Sequence, residues 1–260
     1  VSAHLIVDGG PERLFGFRAH HADGRRTGSM STGAWLAGPG GIPRGGALGV
    51  LVDNVLGTTI SAAHPDGDWS VSTEIGIDVV GAIPVDGSTV RATVESIEVA
   101  TIGAFATGDV IDAAGNVIAR CRQRGRFVSA PEPAATNGRT DGLRSDREAD
   151  LMSRIGAVAS LAEDVLELTT TPVLANPMGN LHGGVSLCVS EWAGALALSR
   201  VAAPLTTTSV HVAYLRPIPI GTRVRFTPRV VHAGRTLGVA HVTSHNEAGK
   251  PCTVTTLVTH

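Results

Sequence analysis

The chain repeats itself once, and that repeat limits its fold more than any other feature. Arg44-Gly45-Gly46 and His182-Gly183-Gly184 lie 138 positions apart, and so do Asp53 and Glu191. Further on, GSTVRATV from Gly87 is matched by GTRVRFTP from Gly221, an offset of 134. AAGN ending at Asn116 and EAGK ending at Lys250 keep that same 134. Order and spacing hold over most of each half, with one four-residue shortening between the two blocks. The halves are two copies of one unit. The first copy is assigned to residues 1–128 and the second to 151–260. Between them, SAPEPAATNGRTDGLRSDREAD (129–150) is rich in Pro, Gly, Ser and charge, the composition of an exposed linker. LMSRIGAVASLAE, which opens the second copy, has helical spacing and reads as an additional packing helix.

Each copy has the same order of elements. After the double glycine comes an apolar segment, residues 45–63 in the first copy and 183–202 in the second. Each stops before a proline, Pro65 or Pro204, as a helix does. Both segments are apolar around nearly the whole circumference, which predicts a helix buried on all sides. Alternating stretches follow, such as WSVSTEIGIDVV and GAFATGDVID in one half and TTSVHVAYL and CTVTTLVT in the other. The expected fold is α+β: twice over, a long buried helix wrapped by a curved antiparallel sheet.

Composition narrows the function. Hydrophobic residues are 43% and charged residues 17%, enough to bury a sizeable core. A net charge of −2 and only 3% aromatics offer nucleic acid neither attraction nor stacking platforms. Asp53, Glu191 and Arg200 interrupt the longest apolar runs, so no membrane span is expected. VSAHLIVDGGPERL lacks the basic and apolar regions of a signal peptide. Cys121, Cys188 and Cys252 show no metal or redox spacing and read as buried small hydrophobes in a reducing, cytoplasmic compartment. His211, His241 and His245 sit on strand-like segments without a ligand set, so neither metal nor cofactor is expected.

The stretch NPMGNLHGGVSLCVSE (176–191) carries the chemistry. Asn176, Gly179, His182, Gly183 and Gly184 are spaced N-x-x-G-x-x-H-G-G, and Glu191 follows after six intervening residues. This motif resembles that of the PaaI-like acyl-CoA thioesterases of the hotdog superfamily. YLRPIPIGTRV from Tyr214 is similar to the strand and turn that follow the helix in that family. The resemblance covers both halves and implies a double hotdog in one chain, open to further assembly into oligomers. The first copy departs from the pattern, with Gly38 in place of the Asn and Arg44 in place of the His. The second has Glu191 where Asp is commoner.

Glycines before a helix let a ligand approach the first, unpaired N–H groups at the positive end of the helix dipole. Aimed at a thioester carbonyl, the Gly183 N–H would stabilise the developing oxyanion. Gly179 and Gly184 are candidates for shaping the substrate's seat. The acid lies nine residues beyond the His or Arg, roughly 13 Å along a helix, too far to serve its own helix start. The dimer geometry that the resemblance implies solves this, because two antiparallel helices exchange their acids. One composite site then joins Asp53 to Asn176, His182 and Gly183; the other joins Glu191 to Arg44 and Gly45.

Asp53 is available as base for water or as nucleophile, or is a buried acid paired with a base such as Arg44. Asn176 is a hydrogen-bond partner for substrate or water, and His182 orients loop and substrate. Thr73 falls where the family often has a water-holding hydroxyl. In the second site an Arg44–Glu191 ion pair would neutralise the acid, making that site degenerate. Arg120, Arg122, Arg124 and Arg126 alternate along one strand face. They are either a solvated outer face or, through Arg122 and Arg124, a cradle for coenzyme A phosphates. The function implied is hydrolysis of acyl-CoA. A non-catalytic acyl-CoA sensor is the alternative. A hydratase fits less well, since its motif places His two residues after Pro and an acid before Asn, where this chain has Ala175.

Overall fold

The computed structural model describes residues 9–22, 25–64, 69–129, 150–160 and 164–260. Residues 130–149 of the expected linker, Pro65 and residues 161–163 lie outside the described residues. In chain order the elements are α1 (Gly10–Leu14), β1 (Phe17–Ala22), β2 (Arg25–Ser31), α2 (Gly49–Ala62), β3 (Trp69–Val79), β4 (Thr89–Ala100), β5 (Gly103–Ile111) and β6 (Val117–Val128). Then follow α3 (Leu151–Ile155), β7 (Ala157–Ser160), β8 (Val165–Thr169), α4 (Gly183–Ser199), β9 (Thr207–Tyr214), β10 (Arg223–Ala233), β11 (Gly238–Asn246) and β12 (Pro251–Thr259).

The strands form one antiparallel sheet in the order β1-β2-β4-β5-β6-β3-β9-β12-β11-β10-β8-β7. Read from either end, the order visits equivalent strands of the two copies. The two repeats are therefore joined edge to edge through β3 and β9. Those strands pair only from Glu74↔Ala213 to Asp78↔Ser209. Before Glu74, β3 stays with β6 and leaves β9, so the sheet splits there.

The two long helices lie inside the curve of the sheet. Val50, Leu51, Val55 and Ile60 of α2, and Val185, Leu187 and Val189 of α4, are buried against inward residues such as Ile75, Ile77, Val210 and Leu257. Each such side chain contributes about 1.5–3 kcal/mol by burial. The packing stabilises the helices, since α2 has no side-chain cap at all. They meet at Gly49 and Gly184: a Cβ on Gly184 would lie 2.4 Å from the Gly49 carbonyl carbon. Asp53 lies at the start of α4 and Glu191 at the glycines preceding α2, so the helices are antiparallel.

Three details differ from expectation. Residues 45–48 form a tight 3-10 turn ahead of α2. The segment opening the second copy is helical only to Ile155. Gly156, at φ 79°, ends it, and β7 begins one residue later. Strands β1, β2, β7 and β8, short or polar, line the outer ends of the sheet and carry no strand pattern in the sequence. Among the described residues no helix is long and apolar enough to cross a membrane. The three cysteines are free and buried.

Candidate active site

Asp53 sits one turn into α2, and its carboxylate is surrounded by donors. Oδ1 accepts the Ser72 hydroxyl at 2.9 Å and the Gln123 amide at 2.9 Å. Oδ2 accepts the Gly184 N–H at 3.0 Å, across the helix pair. A Cβ on Gly183 would meet Oδ2 at 2.7 Å, so only glycine allows this approach. Gly183 is the first residue of α4, and its N–H has no partner among the described residues. Its carbonyl accepts the Tyr214 hydroxyl at 2.7 Å. Burial, with the Asp53 charge nearby, pushes the Tyr214 phenol well above its usual range and keeps it a neutral donor.

His182 caps α4, its Nδ1 accepting the Gly184 N–H at 3.1 Å. The same nitrogen lies 3.3 Å from Asp53 Oδ2. Nε2 faces the buried Glu12 carboxylate at 3.5 Å and the Asn54 amide at 3.4 Å. Burial disfavours the imidazolium, but Asp53 and Glu12 outweigh it and hold the His182 pKa above its ordinary value. Asn176 spends its Oδ1 on the N–H groups of Met178 and Asn180, closing the loop in front of His182. Gly179, at φ 72°, makes the tight turn of that loop.

Above Asp53 opens a cleft of about 500 Å³, lined among others by Asn176, Met178, Gly183, Tyr214, Trp69 and Ser72. It lies where β3 and β9 part. Of the expected residues, Asp53, Asn176, His182 and Gly183 come together here. Others fall elsewhere. Thr73 borders the cleft, yet its hydroxyl donates to the Arg124 carbonyl. A β-bulge between Ser72 and Glu74 shifts the alternation, and Ser72 reaches the acid instead. Gly184 donates to Asp53 and His182, so its N–H is not available to a ligand. Arg122 and Arg124 lie outside the cleft beside Asp78 (2.9 Å) and Glu74 (3.9 Å). Of the stripe, only Arg126 lines it.

In the second half the same parts are filled in. Glu191 is fully buried and accepts the N–H of Gly45 at 3.1 Å and of Gly46 at 2.6 Å, together with the Thr207 hydroxyl. Burial raises its pKa against the opposing pull of Arg44 and these donors. Arg44 is also buried, but it makes no direct ion pair with Glu191. Its guanidinium donates to the carbonyls of Pro39 (2.7 Å) and Leu205 (3.4 Å). Backbone groups meet both charges, with the Thr207 hydroxyl added on Glu191 and Arg44 Nε left without a partner, which sequence spacing does not reveal. Where the first site has Gln123, opposite Ile75, the second has Leu257, opposite Val210. Val79 crowds Gly45, as Tyr214 crowds Gly183.

Glu12 and Asn54 carried no sequence signal, since neither belongs to the repeated motif. Among the described residues no group of three His, Cys, Asp or Glu side chains is placed to hold a metal ion.

Residues 178–253 match the family model of the Thioesterase superfamily. No curated protein matches the chain. Among solved structures, a conserved protein of unknown function with hot dog fold from Alicyclobacillus acidocaldarius aligns with a TM-score of 0.61 at 12% identity, covering 97% of this chain and 98% of that one. An acyl-ACP thioesterase from Bacteroides thetaiotaomicron aligns at 0.60 and 13% identity, covering 96% and 99%. A 12:0-ACP thioesterase from Umbellularia californica aligns at 0.58 and 12%, covering 89% and 95%. At such identities the likeness is one of fold. The chain is a hotdog-fold protein over nearly its whole length, and its second half carries the Thioesterase superfamily match.

Proposed function

We propose that this chain hydrolyses acyl-CoA thioesters at the cleft between α2 and α4. The observation that carries the reading is an unclaimed N–H, that of Gly183, beside an oriented carboxylate on the cleft floor. The thioester carbonyl oxygen would accept that N–H at the positive end of α4. Asp53 takes a proton from water, whose oxygen attacks the carbonyl carbon while the carbonyl electrons move to the oxygen facing Gly183. Collapse expels the coenzyme A thiolate, which takes the proton back from Asp53, leaving acid and thiol. Ser72 and Gln123 hold Oδ1, and Oδ2 is the oxygen turned toward the start of α4. If Asp53 attacked as nucleophile instead, expelling the thiolate to form a mixed anhydride, water opening that anhydride at the Asp53 carbonyl would leave ¹⁸O in the carboxylate after a single turnover in labelled water.

Arg126 and Arg216 both line the cleft, and neither has a carboxylate within 4.0 Å among the described residues. They suit the phosphates of a carrier. The structurally similar acyl-ACP thioesterases make acyl carrier protein the competing carrier. Thiol release from a panel of acyl-CoA esters, with acyl carrier protein thioesters alongside, tests the reading. Binding without turnover of any thioester would leave a sensor in its place.

A further inference from the structure

We propose that Glu12 is a positioning residue of this cleft: its buried carboxylate, carried in by α1, fixes the His182 ring with its Nε2 proton turned away from Asp53. The inference rests on reading the cleft as the site of thioester hydrolysis. Glu12 lies outside the repeated motif and does not line the cleft, yet it is 0% exposed. Its place is built. A Cβ on Gly10 would lie 2.1 Å from the Val173 carbonyl oxygen, so α1 seats directly on the 3-10 turn Pro172–Leu174 that leads into the Asn176 loop. Gly9 leaves room at Oε2, which a Cβ there would approach to 2.6 Å.

A carboxylate withdrawn from water needs compensation. Glu12 finds the Asn54 amide at 2.8 Å on Oε1 and, as its sole ion-pair partner among the described residues, His182 Nε2. Oε2 has no partner. Viewed from the ring, α1 presents Glu12 to Nε2. From α2 come Asp53, toward Nδ1, and Asn54, toward Nε2; the Gly184 N–H of α4 points at Nδ1. Tyr214 on β9 stands on the Gly183 carbonyl and is neutral.

In the neutral ring, above the folded-state pKa of His182, the Glu12 charge favours the proton on Nε2 and leaves Nδ1 free to accept the Gly184 N–H. Without that charge the neutral ring is free to carry its proton on Nδ1, where it donates to Asp53 Oδ2. That new hydrogen bond weakens the carboxylate as a base and displaces the Gly184 N–H from it. The fault would fall on turnover, since no side chain lining the cleft is replaced.

The test is Glu12→Gln, which keeps shape and removes charge, with Glu12→Asp as the conservative variant. In Glu12→Gln kcat falls about tenfold or more with KM little changed, and Glu12→Asp recovers part of it. In the same variant the His182 ring, followed by ¹⁵N NMR, titrates lower than in the unsubstituted protein. Unchanged kcat together with an unchanged ring titration overturns the proposal. Should Glu12→Gln fail to fold, the unsubstituted protein still decides: a His182 titrating at or below 6.5, its ordinary value, overturns it. Failure of the protein to cleave any thioester would sink the hydrolytic reading, whereas the ring titration would still report on Glu12.

Discussion

Glu191 accepts the Gly45 N–H at 3.1 Å, while the corresponding N–H of Gly183 is left without a partner among the described residues. The difference comes from one methylene. Asp53 reaches only the second glycine of its pair, whereas the longer Glu191 spans both, and its oxygens saturate the donors at the start of the opposite helix.

The two acids should therefore respond differently to loss of charge. Asp53→Asn keeps the side chain's shape but not its basicity, and kcat/KM is expected to fall by a factor on the order of 10² or more. Glu191→Gln leaves activity largely intact and lowers stability by about 1–3 kcal/mol, because an NH₂ must then face a glycine N–H. Kinetics with thermal unfolding on both variants checks this. An inactive Glu191→Gln beside an active Asp53→Asn would invert the assignment.

Ser72 and Thr73 form a second contrast, on adjacent residues. Removing the Ser72 hydroxyl leaves Asp53 Oδ1 held by the Gln123 amide alone, and kcat/KM should fall on the order of tenfold. Thr73→Ala removes only a bond to the Arg124 carbonyl and should leave the rate unchanged. Equal losses in the two variants would show that the bulge does not select the hydroxyl.

Gly184→Ala tests the closest approach of the helices. Its Cβ would meet Gly49 backbone at 2.4 Å, where nothing can rotate away, and a loss of about 3 kcal/mol is expected. Gly194→Ala meets the end of the Leu257 side chain at 2.9 Å, which can shift, so it should cost less. Denaturant midpoints for the two variants measure the difference.

The Glu12–His182 pair predicts a pH window of stability. Burial raises the Glu12 pKa, but the hydrogen bond and charge of His182 and the Asn54 amide outweigh it and lower it, so its contribution is present above 4.5 and lost as pH falls through the folded-state value. The His182 pKa is raised, so its contribution is full below 6.5 and lost as pH rises through the folded-state value. The gap in melting temperature between the unsubstituted protein and Glu12→Gln should be widest between these pH values and narrow on both sides. A gap independent of pH would show that the two groups do not form a charged pair.

Much of this architecture is visible in the residues themselves. The 138-residue offset shows two copies of one unit, the resemblance of their motif implies two helices that exchange acids, and both helices are apolar enough to need a sheet around them. What local pattern cannot carry is satisfaction by distant backbone. Arg44 and Glu191 look like partners on charge alone, but each is met by peptide groups brought up by the fold. Alternation places Arg122 and Arg124 on one face correctly, yet the acids that neutralise them come from β3 through sheet register. Parity also misleads at Ser72, where a single extra residue exchanges the two faces. Glu12 is hidden for a plainer reason: it reaches His182 through the docking of a five-residue helix that has no signature of its own.

The pairing of β3 with β9 welds the two copies into one sheet, and that has a consequence for change. In a symmetric dimer every substitution lands twice, so a residue that helps one pocket is imposed on the other. Here Asp53 and Glu191, Gln123 and Leu257, and Tyr214 and Val79 occupy matching places but are free to differ. One pocket stays open at no cost to its twin, and the twin closes upon itself as an anchor for the helices.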